Sequence, residues 1–485
     1  MTELDTAYYD AYKSRDTRFD GVFFIGVTST GIYCRPVCTA RTPKRTNCRF
    51  FANAVSAEKE AFRPCLRCRP ELAPGNAPVD DANRIAQLIV SRINEGILND
   101  DLSLESISDQ FGLTSRQIRR IVRKELGVSP IELIQSYRLL LAKQLLTETA
   151  LSVTDIAYAS GFSSLRRFND AFRLNYKMPP TRLRKEAKTN ALLETQSDSS
   201  TIQLVYRPPY DWEGVLDFLR TRTLKGVEWV TSDEYFRTVH LGDHKGWFSV
   251  RHKPDKNSVL LEFSHGLTPV LAPLIGRVKG LFDLNARPDL ISEQLKRDSI
   301  LKKAVAKNEG LRVPGAFDSF ELAIRAILGQ QITVKAATTI AGRFVDAFGK
   351  KVSTPSPEMT RLTPTAKRIA RASVDDISSL GIVSARAKCI IAIAKAFDSG
   401  KLLLTPGENP DDAIVQLVEL PGIGPWTANY IAMRALRWPD AFPKEDIVIR
   451  NKLGGITPKQ AEELSQKWRP WRSYAVLHLW RLPAE

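Results

Sequence analysis

Five of the six cysteines in this chain fall at positions 34, 38, 48, 65 and 68, and the sixth stands alone at 389. Four of them form a Cys34-x3-Cys38 pair and a Cys65-x2-Cys68 pair, with 26 residues between the pairs. Thiols at these spacings suit tetrahedral Zn²⁺, and crowding of this kind in an intracellular chain favours metal over disulfides. The sequence therefore predicts a small N-terminal unit tied together by one zinc ion, with Cys34, Cys38, Cys65 and Cys68 as ligands. Cys48 lies outside both pairs, and Cys389, in an apolar context, reads as a core residue. Spacing alone is satisfied by a purely structural zinc knuckle.

Charge adds a second possibility. Between Gly31 and Pro70, nine Lys or Arg stand against two Glu. A zinc ion with four thiolates is a net anion whose sulfurs stay ionised and electron-rich at neutral pH. Such a thiolate, brought to a neutral methylated phosphate, can accept the methyl group. The site would then lose one negative charge and repel DNA less.

The rest of the chain needs more than one domain. At 485 residues it has the length of three or four. Its 43% hydrophobic content supplies several cores, and a net charge of +16 points to a polyanionic partner. No apolar stretch approaches the roughly 18 residues of a membrane span. The acidic, polar start is unlike a secretory signal. These features predict a cytoplasmic, nucleoid-associated protein with no membrane partner.

Residues 71–80 and 186–201 read as linkers, rich in small, polar, Pro and Gly residues. Between them lies an internal echo: Ile107, Gly112 and Leu113 recur 49 residues later as Ile156, Gly161 and Phe162. The first copy predicts a helix with Ile107 and Phe111, a turn at Gly112, then a helix with Ile118, Val122 and Leu126 inward. Arg116, Arg119, Arg120, Arg123 and Lys124 face outward on that second helix. The second copy places Leu165, Phe168 and Phe172 inward and Arg166, Arg167 and Arg173 outward. One basic helix face is as well explained by solvation; two in tandem favour DNA, with phosphate contact the expected role.

Beyond residue 203, β-patterned runs such as Val259–Phe263 give way near residue 316 to helical spacing at Phe317, Phe320, Ile324, Ile327 and Leu328. In Leu420-Pro-Gly-Ile-Gly-Pro-Trp-Thr-Ala-Asn-Tyr430, a helix opened by Pro410 ends and another begins at Pro425. Gly422 and Gly424 make the connection, with backbone N–H groups pointing outward as a nest for a phosphate. Asp446 follows 20 residues after Trp426. Its residue type and place, before an apolar run, fit an ordinary helix N-cap. Trp426, Tyr430, Trp480 and Phe218 are equally compatible with core packing.

Three resemblances bear on these alternatives. Gly31-Ile-Tyr-Cys-Arg-Pro-Val-Cys38, Phe51-Ala-Asn-Ala54 and Phe62-Arg-Pro-Cys-Leu-Arg-Cys-Arg-Pro70 resemble the N-terminal domain of Ada-type adaptive-response proteins. That resemblance makes Cys34 the methyl acceptor and puts Arg35 and Arg41 at DNA-facing positions. Gly161-Phe162-Ser-Ser and Phe168-x3-Phe172 resemble the AraC-type double helix-turn-helix. The departure there is Lys177, where that family usually has Gly, and it predicts less regular docking of the second unit.

The C-terminal block resembles helix-hairpin-helix DNA glycosylases, and more closely the AlkA-type 3-methyladenine glycosylases. The matching segments are Pro208-Pro-Tyr-Asp-Trp212, Arg325–Gln330, the Gly422/Gly424 hairpin and Trp468–Ala475. The resemblance makes Asp446 the catalytic carboxylate, Trp426, Tyr430, Trp480 and Phe218 the pocket, and Gln331 the wedge that fills the gap of a flipped base. Electron-rich ring faces would then attract a cationic methylated purine. Bifunctional relatives carry a Lys two residues after the second hairpin Gly, where this chain has Trp426. Base removal without strand cleavage is expected, and with no Cys beyond 389, no iron–sulfur cluster. No Pro-Cys-His segment of an O6-alkylguanine transferase occurs. Departures are Ile447, a Tyr in close relatives, and Gln331 in place of Leu.

The expected architecture is multidomain and mainly α with α+β parts. It comprises a zinc methyl-acceptor domain (1–75), a double helix-turn-helix (81–188), an α+β domain (202–310) and a helical glycosylase core (311–485). The implied partners are alkylated and promoter double-stranded DNA and, at a promoter, RNA polymerase. The alternative is a DNA-binding alkylation-response regulator whose glycosylase half binds but does not cleave.

Overall fold

The computed structural model describes residues 3–15, 23–51, 54–68, 70, 81–94, 96, 113–188, 198–406 and 408–483. Residues 71–80, and Ile107, Phe111 and Gly112 of the first repeat, lie outside them. The chain forms two compact units, one of Met1–Val90 with Asp100–Leu133 and the other of Ser91–Asn99 with Ile134–Glu485.

In the first unit, β1 (Phe24–Val27), β2 (Ile32–Cys34), β3 (Cys48–Phe51) and β4 (Arg63–Pro64) form one sheet in the order β3-β1-β2-β4. Gly31, at φ 65°, closes the tight β1–β2 turn. β4 pairs in parallel with β2, Ile32 opposite Arg63 and Tyr33 opposite Pro64. This pairing carries Cys65 alongside the end of β2, where its N–H donates to the Tyr33 carbonyl at 3.0 Å. The helix Glu3–Ser14 packs Ala11 and Tyr12 onto the same cluster as the cysteines.

The helix Ser115–Leu126 begins at Thr114, which forms a reciprocal capping box with Gln117. Ile118 and Val122 are fully buried, Leu126 is half-buried, and Arg116, Arg119 and Arg120 are exposed. The predicted division of this helix into two faces is therefore present. Its end is a left-handed Gly127 at φ 78°.

In the second unit, the helix Leu165–Tyr176 repeats that design. Ser164 caps its start, Phe168 and Phe172 are fully buried, Leu165 is half-buried, and Arg166, Arg167 and Arg173 are exposed. Lys177 takes the left-handed conformation at φ 56° that Gly127 takes in the first copy. The departure from glycine is thus absorbed by strain at one residue, and Pro180 opens the next helix just as Pro130 does.

An antiparallel sheet follows, in the order β5-β9-β8-β7-β6: β5 (Ser199–Val205), β6 (Glu228–Val230), β7 (Glu234–Leu241), β8 (His244–Lys253) and β9 (Ser258–Ser264). Strand β5 overlaps the stretch read as linker. Its Ser-Ser-Thr start looks irregular, but Ser200, Ile202 and Leu204 alternate inward while the backbone pairs with β9. Likewise the helix Pro180–Lys188 extends past 186.

The outer edge of β5 is met by side chains. Gln144 Nε2 donates to the Gln203 carbonyl at 2.6 Å, and Glu148 Oε2 accepts from the Gln203 N–H at 2.7 Å. These two residues of the helix Pro130–Glu148 stand in for a neighbouring strand. The helix-turn-helix residues from Leu139 to Phe172 share one continuous core with this sheet.

From residue 319 onward the described chain is helical apart from turns and isolated bridges. Phe320, Ile324, Ile327 and Leu328 fill its core as predicted. Phe317 precedes the helix Ser319–Leu328 and belongs to the sheet's core instead. Under the helix a buried ionic network ties sheet to helices. Arg237 pairs with Glu228 (2.7 Å) and with Glu321, and Arg325 pairs with Glu228 (3.2 Å) and Glu321 (3.1 Å). Tyr235 donates to Glu228 at 2.6 Å, so each carboxylate is multiply bonded.

Candidate functional sites

The four predicted ligands are brought together. Cys34 ends β2, Cys38 follows a turn whose N–H bonds the Arg35 carbonyl, and Cys65 and Cys68 follow β4. All four sulfurs lie within 4.8 Å of one another and are buried. Four Zn–S bonds of about 2.3 Å require sulfurs about 3.8 Å apart, so the cluster fits a tetrahedral ion. The donor chemistry demands a cation as well. Hydrogen bonding to Cys38 and Cys68, with burial, pushes the Cys34 thiol far up, while hydrogen bonding to Cys34 and Cys68 pulls Cys38 down to about 2. Without positive charge the crowded sulfurs cannot all be thiolates. Cys48 stays outside the cluster, its thiol donating to the Lys44 carbonyl at 3.4 Å.

Arg35 is not on a DNA-facing surface. Its side chain is fully buried and its Nη1 donates to the Cys68 carbonyl at 3.4 Å, while its backbone N–H points at Cys68 Sγ at the same distance. The guanidinium braces the cysteine loops from within. Arg41 is exposed.

The second site lies in a cavity of about 1130 Å³. The helix Pro410–Val418 is joined to the helix Pro425–Ala435 through Gly422 and Gly424, both exposed. Gly422 has φ 92°, and a Cβ there would meet Cys389 Cβ at 3.2 Å and Sγ at 3.3 Å. The conformation favours glycine, and a side chain would fit only if Cys389 shifted by a few tenths of an ångström. Cys389 is a core residue whose thiol burial pushes up to about 11. Gln330 Nε2 clamps the hairpin, donating to the Gly422 carbonyl at 2.9 Å and to Thr427 Oγ1 at 3.0 Å.

Asp446 is both an N-cap and a cavity residue. Its Oδ1 accepts from the Ile449 N–H at 2.9 Å and caps the helix Ile447–Lys452. Trp426 Nε1 donates to Oδ2 at 2.8 Å, and Trp480 Nε1 to Oδ1 at 3.4 Å. Three N–H donors fix a carboxylate that is only 7% exposed. Trp426 stacks on Tyr430 with centroids 5.3 Å apart and planes 5° from parallel, and Trp480 lies 6.4 Å from Tyr430. Phe218 also lines the cavity, and Gln331 sits at its mouth, exposed and left-handed at φ 58°. Ile447 is exposed at the same rim.

The arginines were not predicted. Arg434 donates to Tyr430 Oη at 2.8 Å and to the Pro314 and Gly315 carbonyls. Burial of Tyr430 raises its pKa, but Arg434, Arg222 and Arg325 outweigh that and hold the phenol below its usual value. Arg222 and Arg434 sit over the Phe218 ring at 3.9 and 4.8 Å. Phe218 therefore lines the cavity with its ring already engaged by cations. The available signals were two four-residue spacings, Arg434 after Tyr430 and Arg222 after Phe218.

Family models match in four successive stretches. They are the metal binding domain of Ada (residues 7–71), a helix-turn-helix domain (107–186), the AlkA N-terminal domain (201–318) and the HhH-GPD superfamily of base excision DNA repair proteins (324–473). The chain is 38% identical over 477 residues to a probable bifunctional transcriptional activator/DNA repair enzyme AlkA of Mycobacterium tuberculosis. That match covers 97% of this chain and 95% of the relative. It is 35% identical over 277 residues to DNA-3-methyladenine glycosylase 2 of Escherichia coli, covering 57% of this chain and 95% of the relative. Over 134 residues it is 34% identical to the Escherichia coli enzyme Ada, covering 28% and 36%. The chain belongs to the family of AlkA-type bifunctional transcriptional activator/DNA repair enzymes, with an Ada-type head joined to a helix-hairpin-helix glycosylase.

Proposed function

We propose that the protein is a monofunctional DNA glycosylase that hydrolyses the N-glycosidic bond of alkylated bases, fused to a sensor of alkylated DNA. The observation that carries the first half is Asp446, held by two indoles and a helix N-terminus within an aromatic cavity. A base flipped from the duplex enters between Trp426, Tyr430 and Trp480, and Gln331 occupies the gap it leaves. As the C1′–N bond breaks, its electrons leave with the base and positive charge develops on the sugar. The Asp446 carboxylate stabilises that charge and assists water attack at C1′. A methylated cationic purine leaves as a neutral base, so no general acid is needed. Trp426, where bifunctional relatives carry a Schiff-base Lys, leaves the strand uncut. Gly422 and Gly424 present backbone N–H groups to a phosphate.

In the head, one Zn²⁺ held by Cys34, Cys38, Cys65 and Cys68 would keep the sulfurs ionised. Cys34 Sγ attacks the methyl carbon of a phosphotriester; the S–C bond forms, the C–O bond breaks, and the phosphate regains its negative charge. Arg41 in the head, and Arg116, Arg119 and Arg120 on their exposed helix face, serve phosphate contact at a promoter. Methylation of Cys34 makes the head less anionic and strengthens that contact, and RNA polymerase is the partner it would recruit. The parts divide at 1–75, 81–188, 202–310 and 311–485, with no iron–sulfur cluster, and the protein works in the cytoplasm on the nucleoid.

Methylated duplex DNA tests both halves in one incubation. Free 3-methyladenine and 7-methylguanine should appear with the strands intact until alkali is added. The tryptic peptide containing Cys34 should gain about 14 Da, the mass of a methyl replacing a proton. Strand cleavage, or an unmodified Cys34, would contradict the corresponding half.

A further inference from the structure

Of the five arginines that line the base cavity, four are accounted for, Arg386 by its bond to the Gln330 carbonyl. Arg237 and Arg325 share Glu228 and Glu321. Arg434 is committed to Tyr430 Oη and two carbonyls. Arg222 is different. Its guanidinium lies 3.9 Å from the Phe218 ring centroid, its Nη1 donates to the Phe218 carbonyl at 3.2 Å and Thr221 Oγ1 at 3.0 Å, and it also interacts with the Tyr430 hydroxyl. No carboxylate among the described residues forms an ion pair with it. The side chain is half-buried, and burial lowers its pKa. A partly desolvated guanidinium without an anion, held flat on an aromatic ring and lining a cavity, is a donor group available to a ligand.

A planar fork of N–H donors matches paired acceptors such as O6 and N7 on a purine edge. A 7-methylated purine has lost the N7 acceptor and carries positive charge, so the same fork meets a blocked edge and a like charge. The stacked Trp426 ring and the Asp446 carboxylate pull the other way and favour a cation. We propose that Arg222 is a specificity-determining residue of this cavity. It donates to the acceptor edge of the extruded base and weights excision toward neutral lesions, against cationic ones whose edge is methylated. The inference rests on the glycosylase reading of the Asp446 cavity.

Single-turnover release from duplexes containing one hypoxanthine or one 7-methylguanine tests it. Hypoxanthine is neutral and keeps O6 and N7. Arg222→Met should raise the ratio of 7-methylguanine to hypoxanthine release at least tenfold over the wild type. Arg222→Lys, which keeps the charge without the fork, should raise it by less, about threefold. It carries the test alone if the Met variant fails to fold. A ratio within twofold of wild type in the folded variants overturns the inference. So does a wild type that releases 7-methylguanine but no hypoxanthine. Release of neither base by the wild type is a separate result, the failure of the glycosylase reading itself.

Discussion

The zinc head and the base cavity are assembled in opposite ways. The head draws its four sulfurs from two short segments, and one parallel strand pair lays those segments side by side. The cavity draws Phe218, Arg325, Trp426, Asp446 and Trp480 from segments spread over more than half the chain. It is held by a buried ionic network between sheet and helix. A site organised around an ion depends on its ligands and little else, whereas a site organised by packing depends on residues far from the chemistry.

Cys68→Ser should break the contrast most sharply. It removes one of four ligands, so zinc retention and methyl uptake by Cys34 should both be abolished, while base release changes less than twofold. Zinc content by emission spectroscopy and the mass of the Cys34 peptide check this.

The complementary change is Glu228→Ala. It strands Arg237 and Arg325 beside Glu321 alone, and breaking a buried pair costs about 3–5 kcal/mol. Thermal unfolding of the glycosylase part should shift accordingly, with the zinc content unchanged.

A smaller effect separates the two regions by pH. His478 is 5% exposed, and burial, with Arg481 nearby, holds its pKa down to about 4 against the attraction of Asp211. Its folded pKa lies below the unfolded value near 6.5, so the folded state takes up its proton last. Stability from this group is complete above about pH 6.5 and lost as the pH falls toward 4, by about 3 kcal/mol in all. Denaturant titrations should show that dependence flattened in His478→Asn. Asp283 opposes it in the same window: burial raises its carboxyl to about 6, so it adds stability as the pH falls.

The smallest effect concerns the repeat, whose two copies differ at Gly127 and Lys177. Lys177→Gly relieves a left-handed non-glycine residue and should stabilise the second unit by about 1 kcal/mol in calorimetry.

These differences also explain what the sequence revealed. The cysteine spacing, the hairpin glycines and the inward-facing Phe168 and Phe172 are local patterns, and each was readable. Asp446 was readable as an N-cap and, through resemblance, as a cavity residue; it is both. Arg35 was placed at a DNA-facing position by resemblance, while its side chain is buried against the Cys68 loop 33 residues away. The start of strand β5 was read as linker because its Ser-Ser-Thr shows no apolar run, and pairing with β9 supplies what composition does not. Arg434 gave no signal of its place over Phe218, since that contact exists only once distant helices pack together, whereas Arg222 stands four residues after Phe218 and reaches it locally.

The most direct test of the central claim is Asp446→Asn, with base release and stability measured on the same preparation. Asn caps a helix about as well as Asp, so the folding stability should hold to within about 1 kcal/mol. The carboxylate's charge is lost, so release of 3-methyladenine and 7-methylguanine from methylated duplex DNA should fall about 10²–10⁴-fold. Undiminished release by a stable variant would show that Asp446 is an N-cap and nothing more.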